Sequence, residues 1–121
     1  MKKHEVVMCA TGCTVDAALA VIGGRWKGVI LYHLLSGQRR FNELRRLLPG
    51  ITQRMLTLQL RELETSGLLT RKVYAQVPPK VEYSLTELGR QLEPVLLGLK
   101  AWGQAYAEAQ TGAPLPATVC Q

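Results

Sequence analysis

The chain has 121 residues, 47% of them hydrophobic, and 15 Lys and Arg against 9 Asp and Glu leave it a net charge of +6. That length and apolar content fill one core; no apolar run reaches the roughly 20 residues that span a bilayer, and the opening Met-Lys-Lys-His-Glu lacks a secretory apolar segment. One cytoplasmic domain with no membrane role is expected, and the excess positive charge favours a polyanionic partner.

Residues 1–12 read as a flexible arm. Val15 to Ile22 then predicts a short helix begun at Cys13 or Thr14, and Gly23-Gly24 breaks it. A second helix runs from about Trp26 to Leu35, so that N-terminal helices occupy 13–35, with Trp26, Val29, Ile30, Leu31 and Leu34 directed inward. His33 sits among these apolar residues and reads as a packed core histidine. After Gly37, Arg39-Arg40 leaves room for one short strand that can pair with a later hairpin. Phe41 to Leu48 forms the next helix, which places Phe41, Leu44, Leu47 and Leu48 in the core and ends at Pro49-Gly50.

A helix over 52–66 follows, capped by Thr52 and stopped at Ser66-Gly67. Leu56, Leu60 and Leu63 fall at i, i+4 and i+7, a stripe that Met55 widens, while Gln53, Arg54, Thr57 and Arg61 lie on other faces. Two short helices joined by a tight turn make a helix-turn-helix. From Leu69 the pattern becomes β-branched and aromatic to Val77, Pro78-Pro79 interrupts it, and Val81 to Leu85 alternates with period two. This predicts a hairpin with a proline-containing tip, completing a unit over 39–85. Thr86-Glu87 opens a long helix over 86–110, in which Leu88, Leu92, Val95, Leu96, Leu99, Trp102 and Tyr106 make a broad apolar stripe. Residues 111–121 read as a flexible tail.

The expected fold class is therefore mainly α with a small β-hairpin (α+β), a winged helix-turn-helix. In that arrangement the second helix of the pair enters the major groove and the wing lies on flanking backbone or minor groove. Arg forks onto guanine, Gln pairs with adenine, and Thr reaches a base edge or a thymine methyl. Gln53, Arg54, Thr57 and Arg61, with Thr52 at the helix start, are thus the candidate base readers. Arg39, Arg40, Arg71, Lys72 and Lys80 are the candidate phosphate contacts. From Arg25 to Lys80 the chain carries eleven cations and three acids, a local +8, while the remainder is −2. Charge is concentrated on the proposed reading unit rather than on a tail. A merely solvated helix face, and lysines that only protect a strand edge, are the competing explanations.

The terminal helices suggest self-association. The long C-terminal stripe, with Val15, Leu19 and Ile22, exceeds what so small a core needs and predicts a two-fold dimer interface. Two reading helices would then stand about 34 Å apart, one turn of a pseudo-palindromic operator. An enzyme is disfavoured, because Cys13 with His33 stands without a nucleophile elbow, phosphate loop or carboxylate pair. RNA is disfavoured because Phe41, Trp26 and Trp102 fall on predicted buried faces and leave no stacking platform. A winged-helix protein-docking module stays open.

The residues also carry a family resemblance. Cys13 through Lys27, Arg40-Phe41-Asn42-Glu43-Leu44, Gly50-Ile51-Thr52, Met55-Leu56-Thr57, Leu60 to Glu64, Gly67-Leu68 and Val77 to Thr86 closely resemble the HxlR family of bacterial winged-helix regulators, over residues 13 to 103 nearly without a gap. The resemblance implies a homodimeric transcription factor on double-stranded DNA, dimerised through its terminal helices. It also implies a role for Cys13, since a cysteine ahead of the first helix is often that family's redox or electrophile sensor. The family usually has Pro next, where this chain has Thr14. A thiolate at a helix N-terminus is stabilised by unpaired amides and the helix dipole, which agrees with such a role; an inert apolar cysteine is the alternative. Cys9 and Cys120 are the available thiol partners. A small-molecule effector between terminal helices and reading head is the other trigger. No metal or cofactor is expected, since the three cysteines with His4 and His33 lack paired ligand spacings.

Overall fold

The computed structural model describes residues 13–112, with side chains from Thr14 onward. The expected arm over 1–12, the tail beyond Gly112, His4, Cys9, Cys120 and the Cys13 side chain lie outside the described residues.

Six helices and three strands succeed one another among these residues: α1 (Cys13–Ile22), α2 (Lys27–Leu34), β1 (Arg39–Arg40), α3 (Phe41–Leu47), α4 (Gln53–Thr65), β2 (Leu69–Tyr74), β3 (Lys80–Leu85), α5 (Glu87–Arg90) and α6 (Glu93–Thr111). The antiparallel sheet has the order β1-β3-β2, so the arginine pair before α3 does form the expected third strand of the wing. The fold is α+β with a winged helix-turn-helix at its centre.

The core is built where the spacing places it. Ile30, Leu31 and Leu34 of α2, Leu44 and Leu48 of the α3 segment, and Leu56, Leu60 and Leu63 of α4 are all buried. Leu68, Leu69, Tyr83 and Leu85 close it from the wing, and α6 contributes Leu96. Phe41 packs on this core only half-buried, and Leu47 is likewise half-buried. Removing such side chains from water, at about 25 cal/mol per Å² of apolar area, is the main force fixing α4 on α2 and β2. A polar tie adds to it: Lys27 Nζ donates to Glu62 Oε1 at 2.6 Å, joining α2 to α4.

Capping chemistry sets the boundaries. Thr52 Oγ1 accepts from Met55 N at 3.0 Å and starts α4. Gly67, at φ 83°, supplies the left-handed residue that stops it. Thr86 repeats the cap at α5, accepting from Gly89 N at 3.0 Å, and its hydroxyl also donates to Gly67 O at 2.7 Å. Gly89 is obligatory there, because a Cβ would run into the Leu68 carbonyl.

Three expectations are corrected. The C-terminal helix is not continuous from Thr86: a four-residue α5 ends at Arg90 with Gln91 as its cap, and α6 starts anew with Pro94 in its first turn. Proline has no N–H to donate and is favoured where the first amides lack partners anyway, so it suits the start of this helix. Val29 is not inward but 41% exposed, because α2 buries Ile30, Leu31, His33 and Leu34 instead. Trp102, expected buried, is 66% exposed and stacks on Tyr106 with ring centroids 5.2 Å apart. Only Leu96 of the α6 stripe is buried. The aromatic part of the argument against RNA therefore fails for Trp102, although the pair stands on α6, which packs on α2.

Candidate nucleic-acid interface

On α4 the two faces separate. Gln53, Arg54 and Arg61 are exposed, while Leu56, Leu60 and Leu63 anchor the opposite side. Thr57 is half-buried, and its hydroxyl donates to Gln53 O at 2.9 Å, which commits the hydroxyl hydrogen and leaves the oxygen able to accept. Thr52 is committed to its cap. Leu58, which the sequence reading passed over, is 46% exposed. It stands four residues after Arg54 and three before Arg61, hence beside both on the helix surface. An apolar side chain between two arginines suits contact with a thymine methyl. The signal was present as a leucine off the buried stripe.

The sheet register divides the basic residues of the wing between two faces. Arg39 and Arg71 both lie opposite Tyr83, on the side toward α4; Arg40 and Lys72 both lie opposite Glu82, on the other side. Arg39 is tied into the scaffold, its Nε donating to His33 O at 3.0 Å and its Nη2 to Ser36 Oγ at 3.1 Å. Arg71 Nε lies 3.7 Å from Glu64 Oε1 and bridges the wing to the end of α4. Between them a small hollow of about 160 Å³ is lined by Thr57, Leu60, Arg61, Glu64, Arg71 and Tyr83. Burial raises the Tyr83 phenol above its ordinary range, so it stays neutral there. Arg40 is exposed, and its backbone N–H donates to Glu43 Oε1 at 2.7 Å at the start of α3. Lys80 Nζ is 3.4 Å from Glu82 Oε2.

The exposed polar face of α4 with Arg54 and Arg61, and the basic strands of the sheet beside it, form one arrangement, and the sequence that builds it matches a known family model, the HxlR-like helix-turn-helix, over residues 21–111. The chain belongs to the HxlR family. HxlR relatives include the uncharacterized HTH-type transcriptional regulator YdeP of Bacillus subtilis (strain 168), 65% identical over 80% of this chain and 76% of that protein. The HTH-type transcriptional regulator YybR of the same strain is 64% identical over 86% of this chain and 83% of its own length. Among solved structures, the redox regulator HypR in its reduced form superimposes with a TM-score of 0.78 at 58% identity, covering 83% of this chain and 99% of that one. Its oxidized form gives 0.74 at 63% identity, over 77% and 96%. The protein is thus a transcriptional regulator of the HxlR winged-helix type, and these relatives are regulators rather than enzymes. Among the described residues no helix is long and apolar enough to cross a membrane.

Proposed function

We propose that the protein is a homodimeric, sequence-specific DNA reader that sets α4 of each subunit in successive major grooves of a pseudo-palindromic operator, with Gln53, Arg54, Thr57 and Arg61 nearest the bases. The exposed polar face of α4 on its buried leucine spine carries this reading. Arg40, Arg71, Lys72 and Lys80 serve the phosphates, and Arg39 and Thr52 act chiefly by holding β1 and α4 in place. Support for a dimer comes from apolar side chains left in water: Val15 and Leu19 on α1, and Val95, Leu99, Trp102 and Tyr106 on α6. So many large apolar side chains exposed on the two terminal helices of a small domain mark an association surface.

The trigger we propose is thiol oxidation or electrophile addition at Cys13, the residue that opens α1. A helix N-terminus lowers a thiol pKa and raises its reactivity. The solved relative HypR is itself named a redox regulator in oxidized and reduced forms. Because α1 belongs to the proposed interface, a change at Cys13 would move the two reading helices relative to each other.

The test is fluorescence-anisotropy binding to the duplex upstream of the protein's own gene and to a scrambled duplex, with reduced and diamide-treated protein at two salt concentrations. Specific binding that changes on oxidation, and stops changing in Cys13→Ser, supports the proposal. Specific binding indifferent to diamide removes the sensor role and leaves the DNA reader. A second trigger is favoured by one observation, a cleft of about 580 Å³ between α2, α6 and the turn after α3, lined by Trp26, Tyr32, Leu48, Leu96, Leu99 and Lys100. Its volume falls within the range of small-molecule sites. A regulator switched there would respond to a ligand and ignore diamide.

A further inference from the structure

On the side of the sheet away from α4, Lys72 faces Glu82 across the ladder and Tyr74 faces Lys80, while Arg40 of β1 lies on the other flank of Glu82. The Tyr74 ring is the centre of this group. Lys72 Nζ is 5.0 Å from its centroid and Lys80 Nζ 4.6 Å. Two ammonium groups drawn to one ring repel each other, and the opposing forces are visible: the negative π-faces of the ring, and the Glu82 carboxylate 3.4 Å from Lys80 Nζ. The loop beyond, Ala75 to Pro79, carries no charge. Apart from Arg71, which faces α4, the positive charge of the hairpin is therefore gathered at Tyr74 and not at the tip.

We infer that the outer face of the wing is a phosphate-binding surface in which Tyr74 is the positioning residue, holding Lys72 and Lys80 toward the DNA backbone beside the α4 footprint, with Glu82 limiting its strength. The inference rests on the proposed DNA reading and adds to it. Lysine is a compact charge on a long flexible stem, and ordering that stem opposes binding. A ring that confines two stems in the free protein removes part of that cost. Glu82 acts the other way, since its charge competes with phosphate for Lys80. Arg40, exposed on the same face, extends the cationic row toward α3.

Salt dependence is the readout that a merely structural tyrosine would leave alone, because each phosphate neutralised contributes about 0.9 to the slope of log K against log salt. Anisotropy titrations over a KCl series would compare wild type, Tyr74→Leu, Tyr74→Phe and Glu82→Gln on the upstream duplex and the scrambled one, with circular dichroism verifying the fold of each. Tyr74→Leu is expected to lower the slope by about 1 to 2 and to weaken both duplexes by the same factor, roughly tenfold at low salt. Tyr74→Phe keeps the ring and is expected to match wild type. Glu82→Gln is expected to strengthen both duplexes. An unchanged slope in Tyr74→Leu, while wild type still prefers its operator, overturns the inference and leaves the DNA reading intact. A slope that falls in Tyr74→Leu, with wild type binding both duplexes alike, keeps the surface and removes sequence reading. Tyr74→Phe failing as badly as Tyr74→Leu would overturn the role of the ring, and a wild type that binds neither duplex overturns surface and reading together.

Discussion

Thr86 ties the turn after α4 to the start of α5, and replacing it with Val should cost about twice what the same change costs at Thr52. Both are helix N-caps with extended backbone, and both side-chain oxygens accept from the amide three residues on, at 3.0 Å in each case. Thr86 differs in that its hydroxyl hydrogen is also used, donated to Gly67 O at 2.7 Å, so that the end of α4 is fastened to the start of α5. Loss of a cap costs about 1 kcal/mol. A second hydrogen bond, from half-buried Thr86 to the exposed Gly67 carbonyl, adds about 1 kcal/mol more. Thr52→Val should therefore lose about 1 kcal/mol and Thr86→Val about 2 kcal/mol, with β-branching and volume held constant. Urea unfolding followed by circular dichroism would read these as midpoint shifts of about 0.5 M and 1 M, taking a slope near 2 kcal/mol per M. All variants should be compared at one protein concentration, because a dimer links association to stability. Thr86→Ser keeps both bonds and should lose little. Equal losses for the two Val variants, or a Ser variant as damaged as Thr86→Val, would refute the reasoning.

Arg54→Ala should weaken binding to the specific duplex by about 1–3 kcal/mol and leave the scrambled duplex nearly unaffected, as measured by anisotropy; equal losses on both would reject base reading by Arg54. Leu19→Glu places a carboxylate at an exposed position, and should leave the fold intact while setting like charges on the proposed two-fold interface. Sedimentation velocity should then show a monomer, and an unchanged dimer would remove α1 from the interface. Burial first, and the Arg39 guanidinium second, hold the His33 imidazole below its ordinary range. The unfolded chain therefore binds a proton below about pH 6.5 that the folded one refuses, so stability should fall as pH drops from 6.5 toward the folded pKa and level off beneath it. His33→Leu removes the titrating group and should flatten that decline in urea midpoints measured from pH 7 to 5, and among the described residues Nε2 of His33 has no hydrogen-bond partner whose loss would offset the gain. A decline that persists unchanged in the variant would assign it to other groups.

Local pattern determined much of this protein. The leucines at i, i+4 and i+7 of α4, the caps at Thr52 and Thr86, the stop at Gly67 and the position of the hairpin all follow from interactions within a few residues, and all stand where the sequence places them. The family pattern is legible for the same reason, as ordered motifs along one chain. What the chain alone left undecided depended on which element faces which. Trp102 and Val29 belong to apolar stripes, and a stripe records that a side chain avoids water without recording whether its own core or a second surface will cover it. The helix assigned from Thr86 onward divides at Gln91 and Leu92, and its first turn is held by a tertiary contact: Gly89 lies too close to the Leu68 carbonyl, about twenty residues away in sequence, for a Cβ to fit, which no helical period encodes. The wing is the clearest instance: Arg39, Arg40, Arg71, Lys72 and Lys80 look equivalent in sequence, yet the strand register sets two of them toward α4 and three on the opposite face around Glu82 and Tyr74. A shift of one residue would exchange those sets, so only the pairing of distant strands decides which cations the helix holds and which are turned outward.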